Sequence, residues 1–123
     1  MRRFAWTLLL LGAALACSDN SPGILKVNLT TPHSGADRAI LLTVSGPGTL
    51  VSATPRSGLR PFSQSFSTTS KVALTGTLTT GTILTIEVPD ISKASQYTAT
   101  AQQVATPAYQ LRSLTGYSLT VVP

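Results

Sequence analysis

The sequence predicts an all-β fold, an antiparallel sandwich of about seven short strands behind an N-terminal signal helix that is cleaved. Three observations predict it. From residue 24 onward, short runs with apolar residues at every second position alternate with clusters of Gly, Pro, Ser and Asp. Charged residues make up 11% of the chain, and Thr, Ser and Gln supply the polar surface instead. Threonine's branched Cβ suits the pleated surface of a strand. Beyond the first sixteen residues, no stretch repeats its apolar positions at helical spacing.

The N-terminus differs from the rest. Arg2 and Arg3 precede Phe4–Ala16, which carries no charge and ends in small residues. That is the build of a signal peptide. The run is shorter than the roughly twenty apolar residues a membrane span needs, and it has no polar face, as a helix of the folded domain would. The segment "AALAC" (Ala13–Cys17) resembles the lipobox of bacterial lipoproteins, where small residues let a signal peptidase cut before a cysteine that takes a diacylglycerol. The resemblance implies three parts. Residues 1–16 are the signal peptide, residues 17–23 the lipidated cysteine and a short tether, and residues 24–123 the β-sandwich domain. Cys17 is then the lipid attachment site. Ala14 and Ala16 fit the motif; Leu15 stands where Ala or Ser is usual. Ordinary cleavage after Ala16, giving a secreted or periplasmic protein, is the alternative. Ser18 after the cysteine, in place of the aspartate that marks inner-membrane retention, points to the outer membrane. With one cysteine in the chain, an internal disulfide is excluded, and no neighbouring Cys or His makes it a metal ligand.

The strands follow in order. Ile24–Thr30 places Leu25, Val27 and Leu29 on one face. Arg38–Ser45 does the same with Ile40, Leu42 and Val44. Thr49–Ala53 is a short strand after the Gly-Pro-Gly turn. Phe62–Phe66 is an edge strand with both phenylalanines inward. Val72–Thr79 directs Val72, Leu74 and Leu78 to the core and Thr75, Thr77 and Thr79 to solvent. Ile83–Val88 contributes Leu84, Ile86 and Val88. "DISKAS" forms one helical turn capped by Asp90. Tyr97–Val104 and Tyr117–Val122 complete the set.

The stretch "IEVPDISKASQYTATAQQVA" (Ile86–Ala105) resembles the segment of fibronectin type III and other immunoglobulin-like domains that crosses between their two sheets. "GYSLTVV" resembles a last sandwich strand. This implies an immunoglobulin-like sandwich with Tyr97 as a structural corner tyrosine, its ring in the core and its hydroxyl bonded to backbone upstream. The core tryptophan of such domains is missing, since the single Trp is Trp6. A cohesin-like sandwich is the other form that fits.

Composition narrows the function. From Cys17 onward, seven basic residues against four acids leave +3. Lys26, Arg38, Arg56, Arg60, Lys71, Lys93 and Arg112 are scattered, without the clustered footprint of a nucleic-acid binder. His33, the single histidine, lies near Ser34 and Asp37 in a Pro-Gly loop with no nucleophile-elbow motif, so it reads as a solvated residue and the chain as no enzyme. Asp37, Glu87 and Asp90 are too dispersed for a calcium loop. No metal or other cofactor is expected. The Thr-x-Thr rows read as solvent-facing strand positions.

What remains is a lipid-anchored cell-envelope protein, a binding or structural-association module held at the membrane through Cys17. Its partner would be an envelope protein or glycan close to that membrane. The alternative is a carbohydrate-binding module, for which Tyr109 beside Pro107 is the best exposed ring and Tyr117 the next. An interaction module should carry an unpaired sheet edge or an exposed apolar patch. A glycan binder should show an exposed tyrosine beside a polar groove, and an enzyme His33 bonded to an acid and facing a pocket. The anchor is checked directly: a clickable fatty acid should label the wild type and leave Cys17→Ser unlabelled, and equal labelling of both would refute lipidation.

Overall fold

Alternation of apolar and polar residues builds eight strands in the computed structural model, which describes residues 21–123. Residues 1–20, which include the expected signal segment and Cys17, lie outside the described residues. The strands are β1 (Gly23–Thr30), β2 (Asp37–Ser45), β3 (Ser52–Pro55), β4 (Arg60–Ser65), β5 (Thr69–Leu78), β6 (Gly81–Val88), β7 (Thr98–Ala105) and β8 (Ser118–Val122). They form two four-stranded antiparallel sheets, β3-β6-β1-β8 and β4-β5-β2-β7. The fold is an all-β sandwich. Its core is the interleaving of Leu25, Val27, Leu29, Leu84, Ile86 and Val88 from the first sheet with Ile40, Leu42, Val44, Val72, Leu74 and Leu78 from the second. These are the inward residues that period-two alternation predicts. Each side chain of this size removed from water contributes about 1.5–3 kcal/mol. Among the described residues, no helix is long and apolar enough to cross a membrane.

Neighbour order is immunoglobulin-like for the five central strands. In such domains one sheet reads A-B-E-D and the other C-F-G; here β7-β2-β5-β4 and β3-β6-β1 fill those places. The outer strands are exchanged, with β7 where A would be and β1 where G would be. This changes the setting of Tyr97, which leads into β7 and not into the strand in F's place. Its ring is 4% exposed and belongs to the core. Its hydroxyl reaches the carbonyl of Gly48, 49 residues upstream, at 3.5 Å. The contact runs across the pole of the sandwich rather than round a local corner. Gly46 makes room for the ring: a Cβ there would lie 2.2 Å from Tyr97 Cδ2.

Two local expectations are corrected. Phe62 does not point inward; it is 80% exposed. The β4–β5 register shifts between Pro61 and Ser63, so Phe62 is the unpaired residue of a bulge and its ring turns outward. Phe66, beyond the end of β4, packs partly against the core. The third strand starts at Ser52 instead of Thr49, because Pro47 and Gly48 pass over Tyr97 first. The Asp90 turn does form, as a 3₁₀ segment Ile91–Gln96 whose Ser92 amide donates to the Asp90 side chain.

A second bulge shapes the far pole. β5 has one residue more than β2 between the pairs Asp37–Leu78 and Ala39–Thr75. Gly76, within that bulge, has φ +132°, and a Cβ on it would stand 2.7 Å from the carbonyl oxygen of Gly58. Asp37 and Ala39 are two residues apart, yet Asp37 is buried while Ala39 faces outward, with the bulge between them. Gly23, Ser45, Val88 and Tyr97 therefore mark one pole. Thr30, Asp37, Gly81, Ala105 and the loop 106–117 mark the other.

Tyr97→Ala should cost about 3–5 kcal/mol in denaturant unfolding. Tyr97→Phe should cost under about 1 kcal/mol, because its hydroxyl contact sits at the limit of a hydrogen bond. Gly46→Ala should lower the melting temperature in the wild type but much less in Tyr97→Ala, where the clash is gone. A Tyr97→Ala protein that melts with the wild type would refute a core role.

Candidate functional site

The inward residues of β2 alternate with Ala39, Leu41 and Thr43, which face away from the core. Pairing sets them in rows with β5 and β7: Ala39 beside Thr75 and Ala105, Leu41 beside Ala73 and Gln103, Thr43 beside Lys71 and Thr100. Alanines at three of these places leave the outer face of the sheet low. On the β4 side rises the exposed Phe62. On the β7 side rise Tyr109, 91% exposed, and Leu111, 67% exposed. Together they enclose an apolar trough of about 290 Å³.

The trough does not end at its apolar middle. Through Ala39, Thr75 and Tyr109 it passes into a cleft lined by Arg38, Gly76, Thr106 and Pro107. In the other direction Leu41 and Gln103 lead to a hollow lined by Thr43, Lys71 and Gln102. The result is a channel along the strands, apolar at the centre and polar at both ends.

Tyr109 is held out by a tight loop. The Thr106 amide donates to the Gln110 carbonyl and the Tyr109 amide to the Thr106 carbonyl, each at 2.9 Å. The Thr106 hydroxyl oxygen accepts from the amides of Ala108 and Gln110, each at 3.2 Å. This fixes Tyr109 at φ 63°, the one non-glycine among the described residues with positive φ. A tyrosine in this region stores of order 1 kcal/mol of strain. Core packing cannot be what maintains it, since the ring is almost wholly in solvent. Leu111 follows, bridging to Ala105, and the Arg112 amide donates to the Val104 carbonyl at 2.8 Å.

The loop is fastened underneath by Asp37, 1% exposed. Arg112 Nε donates to one of its carboxylate oxygens at 2.8 Å. The Tyr117 hydroxyl donates to the other through a short hydrogen bond. With that proton committed, the hydroxyl oxygen is left to accept from His33 Nδ1 at 3.0 Å. The two rings stack with centroids 6.0 Å apart. Burial, and then the bond to Asp37, push the Tyr117 phenol above its ordinary value. The bond to Asp37 also raises the Arg112 guanidinium.

The sequence-derived candidates are therefore dispersed. Cys17 lies outside the described residues, and Tyr97 is in the core at the opposite pole from Tyr109. His33 bonds a phenol and not an acid, and the trough and its two end hollows are lined by other residues. Ser34, its neighbour, receives the Thr80 amide. Glu87 accepts from Ser52 on the first sheet, and Asp90 caps the 3₁₀ segment, its carboxyl held below the usual range chiefly by the Ser92 hydroxyl. Among the described residues, no group of three or more His, Cys, Asp and Glu is placed to hold a metal. Tyr109 stands exposed beside a groove. Sequence reasoning missed Phe62 and Leu111 as its companions, and the Asp37–Arg112–Tyr117 set. One signal was available: Leu41, Ala39 and Ala73 occupy positions that alternation assigns to solvent. The chain matches no known family model, curated protein or solved structure.

Because the Tyr117 phenol is raised, its contribution to stability is fully present below the unfolded value of about 10 and is lost as pH rises through the folded value. In a phenolate absorbance titration, a step above the ordinary tyrosine range should vanish in Tyr117→Phe. Loss of stability above pH 10 that is identical in the two proteins would contradict this.

Proposed function

We propose that the mature chain is a lipid-anchored binding module of the bacterial cell envelope, not a catalyst, and that it holds its ligand in the trough on the outer face of β4-β5-β2-β7. The observation that carries this is the group of exposed apolar side chains, Phe62, Tyr109 and Leu111, around a floor of alanines. Covering such a surface is favourable at about 25 cal/mol per Å², and contiguous apolar patches rimmed by polar groups mark interaction sites. The strained backbone that presents Tyr109 supports the same reading, because the fold gains no packing from it.

Rings on opposite walls favour a glycan over a flat protein surface, since sugar rings offer apolar faces for stacking while their hydroxyls need the polar ends. The lipid would be supplied at Cys17, six residues before β1 begins at Gly23. At about 3.3–3.6 Å per extended residue, the tether reaches roughly 20 Å. The ligand is then a component close to the membrane.

The test is crosslinking in cells with the anchored protein. Phe62→Ala and Tyr109→Ala should each abolish most of the captured material. Their melting should stay within about 0.5 kcal/mol of wild type, because both rings are exposed. Capture unaffected by either substitution would refute the trough as the binding site. A linker of about thirty residues inserted after Asn20, matched to the reach of a flexible chain, should change which partners are captured if they lie near the membrane.

A further inference from the structure

We infer that the ligand of the trough is an acidic polysaccharide, one whose sugar rings carry carboxylates; this rests on the trough being the binding site. Charge decides the class. Arg38 stands at one end of the channel and Lys71 at the other, and no acidic residue lines it. Arg60 lies exposed in the same register row as Thr75. The acids of the described residues are engaged elsewhere. Asp37 is buried beneath Arg112 and Tyr117, Glu87 lies on the opposite sheet, and Asp90 caps a turn at the other pole. A surface with cations at its ends and none of its own carboxylates attracts an anion and repels a cation.

Spacing decides the form. The rows of Ala39 and Thr43 are four residues apart along β2, about 13 Å at the strand rise. Between the cations lie the alanine floor and the two ring-bearing walls, so a ligand must alternate charge with flat, weakly polar surface. A chain of uronate rings does that: carboxylates meet Arg38 and Lys71 while ring faces lie against Phe62 and Tyr109. Thr43, Thr75, Gln102 and Gln103 supply polar contacts for hydroxyls. Single-stranded nucleic acid also stacks on aromatic rings, but it calls for cations tracking a continuous backbone of phosphates. Here they stand only at the ends and beside the Thr75 row.

The experiment is calorimetric titration of the full-length protein in neutral detergent micelles with oligomers of polygalacturonate, alginate and hyaluronan. Neutral dextran and oligothymidylate of matching length are the comparisons. At least one uronate should bind, weakening as salt is raised, and dextran should not. Tyr109→Ala and Phe62→Ala should each weaken binding at least tenfold. Arg38→Gln and Lys71→Gln should weaken it and flatten its salt dependence. Binding of dextran as tight as any uronate, stronger binding of oligothymidylate, or no uronate binding at all would each overturn the acidic-polysaccharide inference. In those cases in-cell capture lost in Phe62→Ala would leave the trough itself standing. Uronate binding unchanged in all four variants would overturn the inference and the trough together.

Discussion

The carboxylate of Asp37 is the constraint around which the far pole is organised. An ion of this kind is expensive to take out of water, and removing its partners leaves that cost uncompensated. Its two oxygens are satisfied by Arg112 Nε and the Tyr117 hydroxyl, both from the segment that joins β7 to β8. The arrangement therefore dictates where that segment runs. It brings Arg112 against the end of β7, which sets Leu111 beside Ala105 and positions the loop that carries Tyr109. A buried charge in the interior thus fixes the height of a wall on the exterior.

The two faces of the second sheet divide the work. Inward, β2 and β5 present branched aliphatic residues that lock the sheets together. Outward, the same strands present Ala39, Ala73 and Leu41, side chains that neither seal a core nor hydrate well. Polar residues there would be the ordinary choice for a face in water. Their replacement by small apolar groups, and the bulge that turns Phe62 out of the core, together shape the trough proposed as the binding surface.

How much of this was legible depended on whether the determinant was local. Leu25, Val27, Leu29 and the inward residues of β2, β5 and β6 could be read because strand periodicity is a property of adjacent residues. Asp90 as a cap was readable for the same reason. Phe62 was misassigned because a bulge changes the side on which a residue emerges, and nothing within "RPFSQS" announces one. Tyr97 was correctly expected inside, but its hydroxyl partner depended on strand order, in which β7 and β1 exchange the places familiar from immunoglobulin-like domains. Asp37 looked like a loop aspartate near His33. Its burial depends on Gly76 across the sheet and on two residues that follow it by 75 and 80 positions.

Those separations bear on how the chain matures. β1 lies between β6 and β8, and Asp37 finds its partners only after Arg112 and Tyr117 have been synthesised. A nascent chain that has emerged only through β7 has an interior acid without counter-charge and a first strand paired on one side alone. Such a fragment already holds every fully buried residue of the hydrophobic core, the last being Val104, so the two sheets can close on it while the far pole stays unfinished. Core and pole are thereby separable in time: the core is complete by Val104, whereas the wall that carries Tyr109 and Leu111 is set last, when Arg112 and Tyr117 reach Asp37.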